Sequence, residues 1–347
     1  RFVGRMQCAP RVVWALLAHT SRCPSNAWLD ALALAAPPGP VRVVNVGANK
    51  GYAVQSALRR WVMPHLSGAR WRRAIQSVAA QVNSGELAYF SAGACDDGTY
   101  TTKVGSANRD DVHVHALELV PSMRRALEAV TLATGVAQYV TVHPFAASNA
   151  SGFVLVDNTT SPGGERNHID RCKLVGPRCA QPIQQRVITV DELLASLKLS
   201  QLSYLAVDTE GFDALVLEGA AASLAARAIR VVEFEYHGIN YWRQGRAGAD
   251  VRTLEKTVQW LDALGYDCFY QSKPAAILNK VLKLVTAAYG IPMEKALAFC
   301  HSNISLVPIS GGCWRSYYEF HTWSNVACFL RGEWERTVVE NYVVRDP

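Results

Sequence analysis

Several familiar kinds of chemistry lack their residues here. The chain has no H-E-x-x-H, no P-loop lysine pattern and no G-x-S-x-G elbow, so metalloprotease, P-loop nucleotidase and α/β-hydrolase readings have no support. No two cysteines form a C-x-x-C pair, which removes the usual signatures of zinc knuckles and thioredoxin-type exchange. Apolar runs such as Val12–Ala18 and Ala31–Ala36 fall far short of the roughly 20 residues that cross a bilayer. No membrane span is therefore expected within the sequence. It opens on Arg1, so a removed leader or anchor is compatible with it. Internal repeats and low-complexity tracts are absent. Charge is scarce, at 18% of residues, whereas half the chain is apolar; disorder is excluded and a large buried core expected.

The net charge of +6 is spread thinly. Arg59–Arg60 and Arg70-Trp-Arg-Arg73 form one local basic cluster, on helix between Gly51 and Val82. With no basic stripe or RNA-binding signature beside it, it reads as a solvated helix face, and no nucleic-acid partner is expected. Acidic polysaccharide or phosphorylated partners stay open. The nine cysteines leave at least one thiol unpaired within the chain. Cys172 and Cys179 close a short loop suited to a local disulfide, and Cys8 with Cys23 or Cys313 with Cys328 could pair similarly. Sequons begin at Asn149, Asn158 and Asn303. Together these favour the secretory pathway or Golgi lumen, with a cytoplasmic location as the alternative.

Residues 1–40 read as a helical lead-in closed by Pro37-Pro-Gly-Pro40, a strong stop before a strand. Strand Val41–Val46, the glycine turn Gly47–Gly51 and a helix from Tyr52 past Trp61 follow. Residues 83–111, rich in Gly, Ser, Asp, Asn and Thr, read as an irregular insertion. Strands are then expected at Val112–Leu117, Tyr139–Phe145 and Gly152–Val156, with helix over Ser122–Thr134. Ser161–Arg186 reads as a long loop, of the kind that forms lids or substrate walls. Helix Thr189–Leu197, strand Leu202–Val207, helix Ala214–Ala225, strand Ile229–Phe234, helix Arg252–Leu264 and strand Tyr266–Tyr270 complete the alternation. Ile304–Pro308 and Asn325–Leu330 read as closing strands. The rhythm predicts one elaborated α/β domain over 41–271 with a mostly parallel sheet covered on both faces, and a 272–347 extension completing the sheet.

In such sheets ligands gather at the carboxyl ends of the strands. The residues found there are Asn45 to Gly51, Glu118, His143, Asp208 with Glu210, and Glu233 to His237. Gly47 and Gly51 permit a sharp turn and close backbone approach. The turn is G-x-N-x-G, so the dinucleotide fingerprint G-x-G-x-x-G fails, and Glu118 lies well past the ~20 residues that fold expects. Glu118 is placed either to accept hydrogen bonds from a ribose or to cap the next helix at the surface. Asp208 and Glu210 deliver two carboxylates onto a glycine turn, for chemistry or for helix capping. His113 and His115 alternate on a strand and share a face, but spacing fixes no third ligand, and no metal is expected.

Taken together, Val43-Val-Asn-Val-Gly-Ala-Asn-Lys-Gly51, Leu117-Glu-Leu-Val-Pro121, Ala146-Ala-Ser-Asn-Ala-Ser-Gly152, Ile188-Thr-Val-Asp-Glu-Leu193, Leu205-Ala-Val-Asp-Thr-Glu-Gly-Phe-Asp-Ala-Leu-Val-Leu-Glu-Gly-Ala220 and Val231-Val-Glu-Phe-Glu235 resemble the FkbM-type methyltransferases, a branch of the S-adenosylmethionine-dependent Rossmann-like enzymes. The resemblance covers roughly residues 41–237. It implies a class I methyltransferase fold with a mostly parallel seven-stranded sheet and helices on both faces. It also implies S-adenosyl-L-methionine as cofactor, with Asn45, Gly47, Asn49 and Gly51 at its methionine part, Glu118 at its ribose, and Ala146 and Asp208 among its contacts. Asp208 would lie beside the transferable methyl with Glu210 in support; His237 is a second candidate base and Glu235 a third. The family usually methylates oxygen, often of sugars or secondary metabolites. The expected activity is O-methylation of a carbohydrate or glycan hydroxyl; the alternatives are a lipid or polyketide-like acceptor, a nicotinamide oxidoreductase, or a scaffold that binds without turnover. Ala206 departs from a lysine common in the family. The Ser161–Arg186 loop, whose two cysteines are placed to cross-link it, is expected to form part of the acceptor site, and Trp242, Trp314 and Trp323 offer either core packing or flat surfaces for a sugar ring.

Overall fold

The computed structural model describes residues 26–82, 109–157, 182–236, 242, 253–271, 306–310 and 324–343. The chain forms two compact units, one of residues 37–229 and one of residues 1–36 with 230–347.

The first unit contains strands β1 (Val41–Val46), β2 (Val112–Leu117), β3 (Val140–His143), β4 (Phe145–Ala147), β5 (Gly152–Asp157), β6 (Pro182–Ile188) and β7 (Leu202–Val207). β1 pairs in parallel with β2 and with β7, and β2 in parallel with β3. β1, β2 and β7 share one burial pattern, in which only the second residue is half-buried. Such near-continuous apolar runs are what a parallel sheet covered on both faces requires. The three half-buried residues sit side by side. Arg42 is in register with His113, its N–H donates to Ser203 Oγ at 3.2 Å, and its guanidinium meets Asp111 at 2.6 Å.

Helices Tyr52–Trp61, Gly68–Val82, Pro121–Thr134 and Val190–Ser196 connect these strands. Pro121 occupies the first turn of its helix, where a missing N–H costs nothing, and Gly135 ends it in a left-handed cap at φ 76°. Thr189 caps the next helix by accepting from the Glu192 N–H at 3.0 Å, as its T-x-x-E spacing favours.

Three sequence expectations change. The strand expected over Tyr139–Phe145 is two strands separated by Pro144, because proline cannot donate to a ladder. β3 continues the parallel sheet, whereas β4 opens a small one of order β4-β6-β5. Residues 182–186, read as the end of a loop, belong to β6, antiparallel to β5 and parallel to β4; the rest of that loop, with Cys172 and Cys179, lies outside the described residues, as do 83–108. The helix expected over Ala214–Ala225 is split into Asp213–Glu218 and Ala221–Ala225. Gly219 marks the break. A Cβ there would stand 2.0 Å from the Ser148 carbonyl oxygen, and its own carbonyl accepts the Asp191 N–H at 3.0 Å.

The second unit holds helix Ala27–Ala35, then β8 (Ile229–Tyr236), helix Leu254–Ala263, β9 (Tyr266–Gln271), β10 (Leu306–Pro308), β11 (Ser324–Leu330) and helix Trp334–Val338. β11 lies antiparallel between β8 and β9, and β10 is antiparallel to β9. Trp28 packs edge-on against Phe329 with centroids 5.2 Å apart. Trp242 is 3% exposed against Phe234 and Tyr236, so of its two expected roles it takes core packing. Cys328 does not pair with Cys313: it is disulfide-bonded to Cys268, its register partner on β9. Both are fully buried. Among the described residues no helix is long and apolar enough to cross a membrane.

Candidate functional site

Three parallel strands end together and deliver most of the candidate residues. β1 runs into Gly47, whose N–H, like that of Ala48, donates to the Leu117 carbonyl at the end of β2. On the other side the Asp208 N–H donates to the Val46 carbonyl at 3.0 Å. Gly47 adopts φ +80°, and a Cβ would lie 1.9 Å from the Asp208 carbonyl oxygen. Glycine is required on both counts. Gly51, at φ +77°, is roofed by Leu127 and Trp71, which an added Cβ would meet at 2.4 and 2.8 Å. Trp71 is fully buried and donates Nε1–H to the Lys50 carbonyl at 2.8 Å. The basic cluster around it thus keeps no aromatic surface for bases.

Glu118 is buried rather than at the surface. One carboxylate oxygen accepts the Asn49 N–H at 2.7 Å and the other the Val120 N–H at 2.8 Å. It clasps the glycine turn to the end of β2, and its own N–H donates to the His143 carbonyl at 3.1 Å. Burial pushes its carboxyl above the usual range; the amides of Val120, Asn49 and Leu119 and the Arg124 charge only partly offset this. With three amides on about four lone-pair sites, one site remains for a ligand hydroxyl.

Three acceptors around the turn are left over. Asn45 Oδ1, Asn49 Oδ1 and Thr209 Oγ1 are buried with no hydrogen-bond partner in the protein. Leaving such atoms unpaired costs about 1–3 kcal/mol each. All three lie near the carboxyl ends of β1 and β7, where a hydrogen-bond donor would satisfy them.

Asp208 is exposed and Glu210 half-buried just past β7. Glu210 stands at φ +55°, left-handed for a non-glycine residue, and Gly211 at φ +92°. Beneath them lies a residue that the sequence reading did not single out. Asp213 is 0% exposed; its two oxygens accept the Thr209 N–H at 3.3 Å and the Gly211 N–H at 3.2 Å. Burial first, then the neighbouring Asp208 charge, push its carboxyl up to about 7. The signal is the spacing D-x-E-G-x-D, which puts a third carboxylate two residues past the glycine.

Ala146 is buried on β4, three residues past His143. Glu235 is buried on β8 of the second unit, and His237 lies outside the described residues. His113 and His115 do share a face, and β3 adds His143 to it: His115 Nδ1 and His143 Nε2 are 3.1 Å apart, and His113 Nε2 bonds Thr141 Oγ1 at 2.8 Å. Burial, the other histidines and Arg42 hold His115 down at about 3, and burial with a positive neighbour lowers the other two.

The family model of the methyltransferase FkbM domain matches residues 91–268, just over half of the chain. The chain belongs to the FkbM methyltransferase family. Solved structures similar to this FkbM-family chain include methyltransferase FkbM from Methylobacillus flagellatus KT, at 12% identity and TM-score 0.32, covering 63% of this chain and 38% of that one. A SAM-dependent methyltransferase from Geobacter sulfurreducens, in complex with S-adenosyl-L-homocysteine, matches at 14% identity and TM-score 0.33, with 94% of this chain and 100% of that one covered. Another, from Thiobacillus denitrificans and in the same kind of complex, matches at 11% identity and TM-score 0.33 over 94% and 100%. The chain thus spans 38% of the length of the first of these relatives. No curated protein matches it.

Proposed function

We propose that the protein is an S-adenosyl-L-methionine-dependent O-methyltransferase acting on a hydroxyl of a carbohydrate or glycan. The family supports methyl transfer, and one observation supports the cofactor: the buried, unpartnered oxygens of Asn45, Asn49 and Thr209 beside a turn where glycine alone fits. They are acceptors awaiting donors, as an α-ammonium and ribose hydroxyls would provide. Asn45, Gly47, Asn49 and Gly51 would hold the amino-acid part and Glu118 the ribose, with Asp208 near the reacting end.

When bound, the sulfonium supplies an activated methyl group. The chain's own contribution is then alignment and proton management. Holding an acceptor oxygen in line can supply several kcal/mol. A carboxylate within reach can take the proton from a hydroxyl that grows acidic as it attacks. Asp208, exposed at a strand end, is our candidate for that role, with Glu210 in support, His237 as a second base, and Ala146 a neighbouring cofactor contact. The Cys268–Cys328 disulfide favours an oxidising compartment such as the Golgi lumen.

Thermal unfolding beside S-adenosylhomocysteine, NAD and buffer alone tests the cofactor. Ligand at a hundred times its dissociation constant adds about 2.7 kcal/mol. A shift with S-adenosylhomocysteine alone is expected, followed by methyl transfer to glycan acceptors that Asp208→Ala abolishes. A shift with NAD alone would overturn the reading, and no shift with either would favour a scaffold without turnover.

A further inference from the structure

Asp213 is the first residue of a helix only six residues long, one past its capping position at Phe212, where a carboxylate is ordinarily favoured by the helix dipole alone. Both oxygens point back along the chain, to the N–H groups of Thr209 and Gly211. Between those amides lies Glu210, at φ +55°, a conformation that costs a non-glycine residue about 1 kcal/mol or more and persists only where its surroundings impose it. Asp208 emerges at one end of the same turn, and Thr209 presents its buried, unpartnered hydroxyl from the middle. Burying a carboxylate beside a second one is unfavourable, so fold stability alone is a poor reason for it.

We propose that Asp213 is a positioning residue: by accepting the Thr209 and Gly211 amides it holds the Asp208–Gly211 turn in its left-handed course and so presents Asp208 and the Thr209 hydroxyl to the bound cofactor. This rests on the reading that S-adenosylmethionine occupies the strand ends. Asp213 itself touches neither ligand nor acceptor; it acts through the backbone of the turn.

The discriminating comparison is with Asp191, whose carboxylate accepts two backbone amides in the same way, from Ala222 and Ser223, both at 2.9 Å. D213N and D191N each swap an acceptor oxygen for an NH2 at the same size, so each forfeits one amide bond. S-adenosylhomocysteine affinity is measured by calorimetry, stability by thermal unfolding, and backbone opening by hydrogen exchange at residues 209, 211, 222 and 223. Loss of one acceptor leaves a buried N–H of the turn unpaired, which should weaken binding about tenfold. D213N should show that loss, with faster exchange at Thr209 and Gly211, whereas D191N should lose stability yet bind as the wild type does. Equal binding by D213N and wild type would overturn the proposal and leave the functional reading intact. Failure of the wild type to bind S-adenosylhomocysteine would remove both. Should D213N not fold, the wild type decides: ligand must slow exchange at Thr209 and Gly211 by more than at Ala222 and Ser223, and equal slowing would refute the role.

Discussion

Three glycines separate the cost of a left-handed backbone from the cost of a close approach. Gly135 lies at φ +76° with nothing within 4 Å of an added Cβ. Alanine there bears only the conformational cost, about 1–2 kcal/mol. Gly219 has an ordinary φ of −71°, but its Cβ would meet the Ser148 oxygen at 2.0 Å; overpacking of that kind costs about 1–3 kcal/mol, less some 0.5–1 kcal/mol regained from the unfolded chain. Gly47 combines φ +80° with an oxygen at 1.9 Å, so the two terms add to roughly 2–5 kcal/mol. Urea unfolding followed by tryptophan fluorescence gives each difference from the midpoint shift at constant slope. Gly47→Ala should be the most damaging of the three and the only one that also abolishes S-adenosylhomocysteine binding, because it displaces the Asp208 carbonyl. A Gly47→Ala variant as stable as Gly135→Ala would show that the turn accommodates a side chain, and the steric reasoning would fall.

A peptide map run without reductant should yield Cys268 joined to Cys328, and Cys268→Ser should lower stability by about 4 kcal/mol, the chain-entropy value for a separation of 60 residues; a map joining Cys313 to Cys328 would contradict the pairing. The histidine group should make the fold acid-labile. His115 titrates at about 3 when folded against 6.5 as a free side chain, so the unfolded chain binds more protons between those values. Its contribution is intact above about pH 6.5 and lost as pH falls towards 3; His115→Phe should flatten that part of the curve of urea midpoint against pH, and an unchanged curve would refute it. Glu118→Gln turns an NH2 towards one of the two amides that the carboxylate accepts, and should weaken S-adenosylhomocysteine binding by about tenfold, read by calorimetry.

Much of the architecture was legible because parallel strands announce themselves as apolar runs. Val41–Val46, Val112–Leu117 and Leu202–Val207 fall at their expected bounds, followed by Gly47, Glu118 and Asp208. What was illegible depended on partners distant in sequence. β6 begins Pro-Ile-Gln-Gln-Arg, which has no apolar alternation, and becomes a strand only because β4 and β5 pair with it. Cys328 finds Cys268 through strand register, which no cysteine count reveals. Trp71 sits among arginines yet is buried, because Gly51 leaves room for its ring. Asp213 stands at a helix start, and only the folded structure shows that its oxygens turn back to the Thr209 and Gly211 amides.

The β5–β6 hairpin settles its own register, from Gly152 opposite Val187 to Asp157 opposite Pro182. Neither strand therefore dictates how many residues run between positions 157 and 182. Doubling that stretch would cost only about 0.6 kcal/mol in closure entropy, a small penalty for selection to tolerate. The segment can lengthen, shorten or be exchanged between lineages while the turn at Gly47 and the carboxylate at Glu118 stay as they are.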